Sequence, residues 1–174
     1  MRWRGPSNTL PGQYTRKRRE KCAVFLDDSF DYEGASERLL EAGFSKVETF
    51  KKTFQKDGRK EQGVKDPRVI RLCNKEGWLL LTTDSAMRNS HSEEIKNSPN
   101  LAIVATAHNS VEDPAEWLEA FIKMKAKVER EFKKRRRPWY AQFNRQGTFT
   151  TIHEVSDEEA RDFIAKKKRG TIGP

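Results

Sequence analysis

Four aspartates, in three separate parts of the chain, have the type and spacing that chemistry requires. Asp27 and Asp28 directly follow one apolar run, and Asp84 comes shortly after a second. If both runs are parallel strands, their carboxyl ends lie at the same edge of a sheet. Asp66 precedes a proline at the predicted start of a helix, after a loop long enough to let it reach that edge. We therefore expect these four residues to form the catalytic set.

Carboxylates that share an edge repel one another, and this repulsion raises the pKa of at least one of them unless a cation neutralises the cluster. Oxygen ligands favour Mg²⁺ or Mn²⁺ over zinc, and the scattered histidines of this chain predict no zinc site. A divalent cation polarises a phosphate and activates water, which fits hydrolysis of a phosphodiester. Hydroxyl groups on Ser29, Thr83 and Ser85 are candidates for orienting ligands or water around it.

Each aspartate also suits an ordinary structural role. Asp66 before a proline is a good helix N-cap, and Asp28 suits the cap of the helix that follows it. Asp84 suits the start of a polar turn. The pattern of residues by itself leaves both interpretations open.

Strands and helices alternate along the chain, which predicts an α/β fold with a mainly parallel sheet covered by helices on both faces. A C-terminal β-hairpin is added at the edge of the sheet, and a capping box at residues 156–159 predicts a last helix. The strands are predicted at residues 23–26, 46–50, 78–81 and 101–106, and the hairpin strands at residues 139–143 and 148–152.

Capping residues, prolines and glycines mark where the helices begin and end. Asp31 is the expected cap of the first helix, and Asp113 the expected cap of a long amphipathic helix that continues without a break to Pro138. The predicted helices cover residues 31–43, 66–77 and 113–138, and polar loops are predicted at residues 51–63 and 88–100.

The charge of the chain predicts a polyanionic partner. The 174 residues carry a formal net charge of +9, with 34% hydrophobic and 35% charged residues. This length fits one domain with extensions. We expect a flexible basic arm at residues 1–21, the main domain at 22–137, and a hairpin with a basic helix at 138–174 packed on that domain. Clustered positive charge of this kind favours nucleic acid.

Positive charges and aromatic rings alternate near the end of the predicted long helix. Such a run suits a grip on RNA in which bases stack on the rings. Its ordinary interpretation is a solvated helix end, where cations are favourable to the helix dipole. The candidate nucleic-acid-binding residues are Arg88, Lys133, Lys134, Arg135, Arg136, Arg137, Trp139, Tyr140 and Arg145.

The cysteines and apolar segments predict a cytoplasmic protein. Cys22 and Cys73 lie in apolar patterns and give no disulfide framework. The longest apolar run, residues 78–81, is far too short for a signal peptide or a membrane span. We therefore expect no membrane contact.

Three motifs together resemble those of PIN-like nuclease domains, over about half of the chain: residues 24–29, 63–70 and 78–84. The resemblance is to small prokaryotic members related to the toxin ribonucleases of toxin–antitoxin pairs. It implies a three-layer α/β/α fold, endonucleolytic cleavage of RNA, and Mg²⁺ or Mn²⁺ held by Asp27, Asp66 and Asp84. It also implies an antitoxin-like protein partner and admits a homodimer. The chain departs from the family at Ser85, where a further acidic residue often stands.

Two other classes of protein fit parts of the same pattern. One is a PIN-like fold without catalysis that binds RNA or a protein, which the departure at Ser85 favours. The other is a receiver domain, which carries an acidic pair after its first strand and a phosphorylated aspartate, here Asp84, after its third. A receiver domain also needs a lysine and a proline after a fifth parallel strand, and here Lys and Pro lie near the end of a predicted helix instead.

Overall fold

The buried apolar runs of the sequence form the centre of a six-stranded sheet. The computed structural model describes residues 21–56, 59–60, 66–108, 111–154 and 165. The strands of the main sheet are β1 (Ala23–Leu26), β2 (Lys46–Thr49), β5 (Leu79–Thr82), β6 (Ala102–Thr106), β7 (Trp139–Phe143) and β8 (Phe149–Glu154). Two further strands, β3 (Gln55–Lys56) and β4 (Arg59–Lys60), form a small separate hairpin.

The main sheet has the strand order β2-β1-β5-β6-β7-β8. The first five strands in this order are parallel, and β8 is antiparallel to β7 at one end, as the predicted hairpin requires. Val24 of β1 pairs with Val47 of β2 on one side and with Leu79 of β5 on the other. The chain therefore changes direction across the sheet between β1 and β5, and such a point leaves a crevice at the carboxyl ends of the strands.

Helices cover both faces of the sheet. The helices are α1 (Ala35–Glu41), α2 (Phe50–Phe54), α3 (Asp66–Glu76), α4 (Met87–Ser90), α5 (Ser92–Lys96), α6 (Pro114–Lys123) and α7 (Lys125–Lys134). One buried cluster joins α1, α6 and α7 to one face of the sheet, and a second joins α2 to α5 to the other. The predicted α/β class and its three-layer α/β/α arrangement are confirmed.

Several predicted boundaries are wrong. The long helix is two helices, because the backbone leaves helical geometry at Met124 (φ −97°, ψ 12°). The first helix begins at Ala35, because Asp31 is buried and its carboxylate accepts a hydrogen bond from the backbone N–H of Lys51 at 2.6 Å. Both predicted polar loops contain short helices, α2 in one and α4 with α5 in the other. Each is anchored by few apolar residues, so no sustained helical period marks it in the sequence.

Two predicted segments lie largely outside the described residues: the basic arm, of which only Lys21 is described, and the last helix, of which only Ala165 is described. None of the helices in the described part of the chain is both long enough and apolar enough to cross a membrane.

Candidate metal site at the carboxyl edge of the sheet

Asp27 is the residue around which the carboxyl edge is arranged. It follows the last residue of β1 directly, and its backbone N–H donates to the carbonyl oxygen of Leu81 at 3.0 Å, which continues the β1–β5 pairing. Because side chains alternate along a strand, Asp27 lies on the same face as Phe25, the face covered by α3. The carboxylate therefore sits at the switch point of the sheet, on the face that α3 covers.

Both carboxylate oxygens of Asp27 are held by hydrogen bonds. The hydroxyl group of Thr82 donates to Oδ2 at 2.7 Å, and the backbone N–H of Asp28 donates to Oδ1 at 2.9 Å. Thr82 is fully buried, and its Oγ1 accepts from the backbone N–H of Asp84 at 3.1 Å. Thr82 thus fixes the orientation of the Asp27 carboxylate and ties it to the turn that carries Asp84.

The pKa of Asp27 is raised above its ordinary value. Loss of hydration on burial is the largest cause, and the negative charges of Asp66 and Asp28 add to it. The hydrogen bonds from Thr82 and from the Asp28 amide act in the opposite direction without cancelling the rise. The charges of Asp27, Asp28 and Asp66 therefore interact, and the convergence of all four predicted residues, Asp84 included, into one catalytic set stays a prediction.

Asp27→Asn is expected to stabilise the protein at neutral pH when divalent cations are chelated. Because the pKa of Asp27 is raised in the folded state, the folded protein binds this proton more tightly than the unfolded chain does. Stability therefore falls as the pH rises from the unfolded pKa, about 3.9, through the folded pKa. Asparagine has no proton to lose and stays uncharged at every pH in this range. The gain in stability of the Asp27→Asn protein over the wild type should therefore be complete above the folded pKa of Asp27 and absent in acid.

Thermal melts of the Asp27→Asn and wild-type proteins over the acid to neutral range, in chelating buffer, measure this difference. Asp113→Asn is the matched control, because Asp113 is an exposed helix cap whose carboxylate is not among the charges that act on Asp27. A variant at Asp27 that melts below the wild type at neutral pH would contradict the assigned repulsion.

The turn after β5 is held by contacts from three sides. Asp84 Oδ1 accepts from the backbone N–H of Ala86 at 2.8 Å, and Ser29 Oγ accepts from the backbone N–H of Thr83 at 3.3 Å. The carbonyl oxygen of Ser85 accepts from the Tyr140 hydroxyl group at 3.0 Å. The three predicted supporting residues, Ser29, Thr83 and Ser85, therefore position the turn, two of them through backbone groups.

His91 is a site residue that the sequence analysis missed. Its Nε2 atom lies 3.2 Å from Oδ2 of Asp66, and both side chains are partly buried. His91 stands between α4 and α5, in the segment predicted to be a polar loop, where nothing in the sequence indicates its distance from Asp66. A histidine beside a carboxylate can orient it and can hold or transfer a proton.

The carboxylates at this edge would fit Mg²⁺ or Mn²⁺ only if water or substrate supplied the remaining ligands. Within the described ranges, no three His, Cys, Asp or Glu side chains lie close enough together to hold a metal ion by themselves. Mg²⁺ usually keeps several waters and binds through one or two carboxylates together with substrate phosphates, so Asp27 and Asp66, whose charges interact, are the candidate ligands. The carboxyl edge thus suits a cation that arrives with, or is completed by, a phosphate-bearing substrate.

Three of the predicted nucleic-acid-binding residues are buried, so they cannot stack on or pair with a base in the way the sequence suggested. Trp139 is 0% exposed and Tyr140 is 3% exposed, because β7 is an interior strand with helices on both faces. Arg137 is 6% exposed, and its guanidinium group donates to the carbonyl oxygens of Gly77 at 3.2 Å and Asn100 at 2.8 Å. These side chains hold the fold together and present neither a ring nor a charge to a base.

The rest of the basic run lies at the opposite edge of the sheet from the aspartates. Lys133, Lys134 and Arg136 are exposed. They stand where α7 leads into the first residue of β7, and β7 is parallel to the other central strands. The run is therefore at the amino edge, so RNA held there would have to pass over the domain to reach Asp27.

The remaining predicted basic residues have different surroundings. Arg135 forms an ion pair with Glu131 at 2.7 Å. Arg145 is exposed after β7, with a long ion pair to Glu116 at 3.8 Å. Arg88 is exposed on α4, directly after the turn that carries Asp84. Arg88 and Arg145 are therefore the predicted cations that lie at the carboxyl edge.

No family model, curated protein or solved structure matches the chain.

Proposed function

We propose that this protein is a metal-dependent endoribonuclease. The observation that supports this most is the interaction of Asp27 and Asp66 at the switch point of a parallel sheet, in a chain of net charge +9. Paired carboxylates suit Mg²⁺ or Mn²⁺, and the surrounding positive charge suits a polyanionic substrate. The toxin role, the antitoxin-like partner and the cytoplasmic location rest on the family resemblance and belong to the same proposal.

Each residue at this edge has a proposed task. Asp27 and Asp66 would hold the cation, and the cation supplies polarisation of the phosphate and activation of water. Asp84 forms no three-ligand group with them among the described residues, and its role as a third ligand is what the family resemblance implies. Thr82 and the Asp28 amide fix the direction of the Asp27 carboxylate, and His91 does the same for Asp66. The Asp28 carboxylate is the group we assign to orienting the attacking water.

Purified protein is expected to cleave single-stranded RNA when Mn²⁺ or Mg²⁺ is present and to stop when the cation is chelated. Binding of the cation should also raise the melting temperature by roughly 5–10 °C at a hundredfold excess over Kd, because a ligand that binds only the folded state stabilises it. Gel analysis of a labelled RNA and a thermal melt with each cation measure the two effects. Neither cleavage nor a melting shift with either cation would contradict the proposal.

The absence of a three-ligand group in the described residues favours one alternative, a domain that binds RNA or protein without cutting. Calorimetric titration with Mn²⁺ separates the two functions, because a domain without affinity for the cation cannot perform the proposed hydrolysis. RNA binding that is equally tight with and without Mn²⁺, and no cleavage, would favour this alternative.

The strand order favours a second alternative, since receiver domains share the order in which the first strand lies between the second and third parallel strands. Two observations count against it. Asn144 follows β7, the fifth parallel strand, where a receiver domain needs lysine. Receiver domains also use a Thr or Ser at the end of the fourth strand, and here the hydroxyl group of Thr106, the last residue of β6, already donates within the fold, to the carbonyl oxygens of Thr83 and His108. Labelling of Asp84 by acetyl phosphate would support the receiver function.

A further inference from the structure

A cavity of about 160 Å³ lies between the α4–α5 segment and the β7–β8 end of the sheet. This volume equals that of about five waters, and it is smaller than a pocket for a drug-sized molecule. It suits a small polar group better than a whole nucleotide. The polar side chains that line it are Arg88, Asn89, Ser92, Lys96, Tyr140 and His153.

The lining of this cavity favours an anion. Arg88 and Lys96 supply two positive charges, and His153 supplies a third when it is protonated. Among the described residues that line the cavity, none carries a carboxylate, and neither Arg88 nor Lys96 forms an ion pair in the described part of the chain. Asn89 and Ser92 add uncharged hydrogen-bond donors. A phosphate group is bound by positively charged side chains and hydrogen-bond donors of this kind, when no carboxylate in the lining competes for them.

Hydrogen bonds from Tyr140 and Gln142 connect the cavity to the turn that carries Asp84. Tyr140 lines the cavity, and its hydroxyl group donates to the carbonyl oxygen of Ser85, the residue after Asp84. Gln142 donates to the same carbonyl oxygen at 3.0 Å. Arg88 stands three residues beyond Ser85, at the start of α4. A group bound in the cavity is therefore held by the same segment that carries Asp84.

We propose that this cavity binds a backbone phosphate of single-stranded RNA, other than the phosphate that is cut. The inference rests on the proposed nuclease function, for which it supplies a grip on the substrate beside the turn that carries Asp84. The basic run is close to the opposite end of the cavity, because Arg135 forms an ion pair at 3.1 Å with Glu154, the residue after His153. Arg88 and Lys96 would pair with the phosphate oxygens, and the polar side chains would complete the contacts.

The test is RNA binding by a protein that does not cut. In an Asp66→Asn background, with cations chelated, the double variant Arg88→Gln and Lys96→Gln should bind a fluorescein-labelled single-stranded RNA about tenfold more weakly in fluorescence anisotropy. The slope of log Kd against log salt should fall by about 0.7 for each lost phosphate contact. The single variant Arg88→Gln, at an exposed position, should show part of both changes.

The matched control removes two positive charges elsewhere. Lys75 and Lys127 are exposed on α3 and α7, away from the cavity, and Lys75→Gln with Lys127→Gln makes the same change in net charge. RNA affinity should fall clearly less in this control than in the cavity variant. Equal weakening in both variants, or unchanged RNA affinity in the cavity variant, would overturn the proposal, and the second result would make a protein partner the better occupant of this surface.

Cleavage assays separate failure of this inference from failure of the nuclease function. With Mn²⁺, the cavity variant in the wild-type background should show a raised KM and a kcat close to that of the wild type, because the lost contacts are remote from the reacting phosphate. If the wild-type protein does not cleave RNA but the cavity variant still binds RNA about tenfold more weakly than the control, the nuclease function fails and the phosphate site stands.

Discussion

Asp66→Asn is expected to abolish RNA cleavage, whereas Asp113→Asn leaves cleavage unchanged. The two aspartates occupy the same local sequence, Asp-Pro at the start of a helix, and both substitutions remove one negative charge. Only Asp66 interacts with Asp27 and contacts His91. Asp113 caps α6 through the backbone N–H groups of Ala115 and Glu116, a task that asparagine performs equally well. The pair of variants therefore separates a ligand from a helix cap.

The loss at Asp66 should exceed about a hundredfold in cleavage rate, because even residues that only orient a metal ligand cost about 10–100-fold when removed. Initial rates on a labelled single-stranded RNA, at saturating Mn²⁺, measure it. The Asp66→Asn protein should also lose the rise in melting temperature that Mn²⁺ gives the wild type, while its melt without cation stays close to the wild-type value.

Asp84→Asn is expected to lose cleavage as well while keeping the fold, because asparagine retains the Oδ1 atom that accepts from the Ala86 amide. An Asp66→Asn protein that cleaves RNA at the wild-type rate would remove the two-carboxylate site from consideration. Equal loss in Asp113→Asn would show that the readout follows helix capping or folding rather than the cation.

The central strands and the positions of the aspartates after them could be predicted because both depend on short stretches of sequence. Strands β1, β5 and β6 lie within one residue of their predicted bounds, since a fully buried strand requires an unbroken apolar run. The charged residues that end β1 and follow β5 then reach one edge through parallel connections alone. The positions of these aspartates follow from the parallel topology of the sheet and not from fine geometry, so they could be predicted from the sequence.

Other parts of the candidate site depend on contacts between residues far apart in the sequence, which hydrophobic periodicity does not reveal. His91 reaches Asp66 across 25 positions, and Gln142 reaches Ser85 across 57, each through folding of the whole chain. The helices α4 and α5 have one buried apolar residue each, Met87 and Ile95, which is too little to produce a helical pattern. Short elements next to the candidate site are therefore the part that a sequence predicts least well.

The basic run illustrates the opposite difficulty, because charge in a sequence does not reveal burial. Arg137 continues a run of four exposed or half-exposed cations, yet it is buried. Its Cζ atom lies 3.8 Å from the ring centre of Phe132, and its N–H groups donate to carbonyl oxygens at the amino ends of β5 and β6. Five fixed donors make arginine suitable for such a junction of strand ends. The charge of this residue serves the fold.

Arg137→Ala is accordingly expected to lower the free energy of unfolding by at least about 3 kcal/mol, since it removes a buried side chain and leaves backbone carbonyl groups without their charged donor. This corresponds to a fall in melting temperature of roughly 6–12 °C for a chain of this size. Urea unfolding followed by circular dichroism measures the change, through a lower midpoint at an unchanged slope.

The neighbouring residue provides the control for this prediction. Arg136 is exposed, so Arg136→Ala should stay within about 0.5 kcal/mol of the wild type although it removes the same charge from the same run. Below its lowered melting temperature, Arg137→Ala should keep wild-type RNA affinity, because the lost guanidinium group never faced solvent. Arg137→Ala with wild-type stability and weakened RNA binding would instead return this residue to the nucleic-acid surface predicted from the sequence, and would require β7 to leave the interior of the sheet.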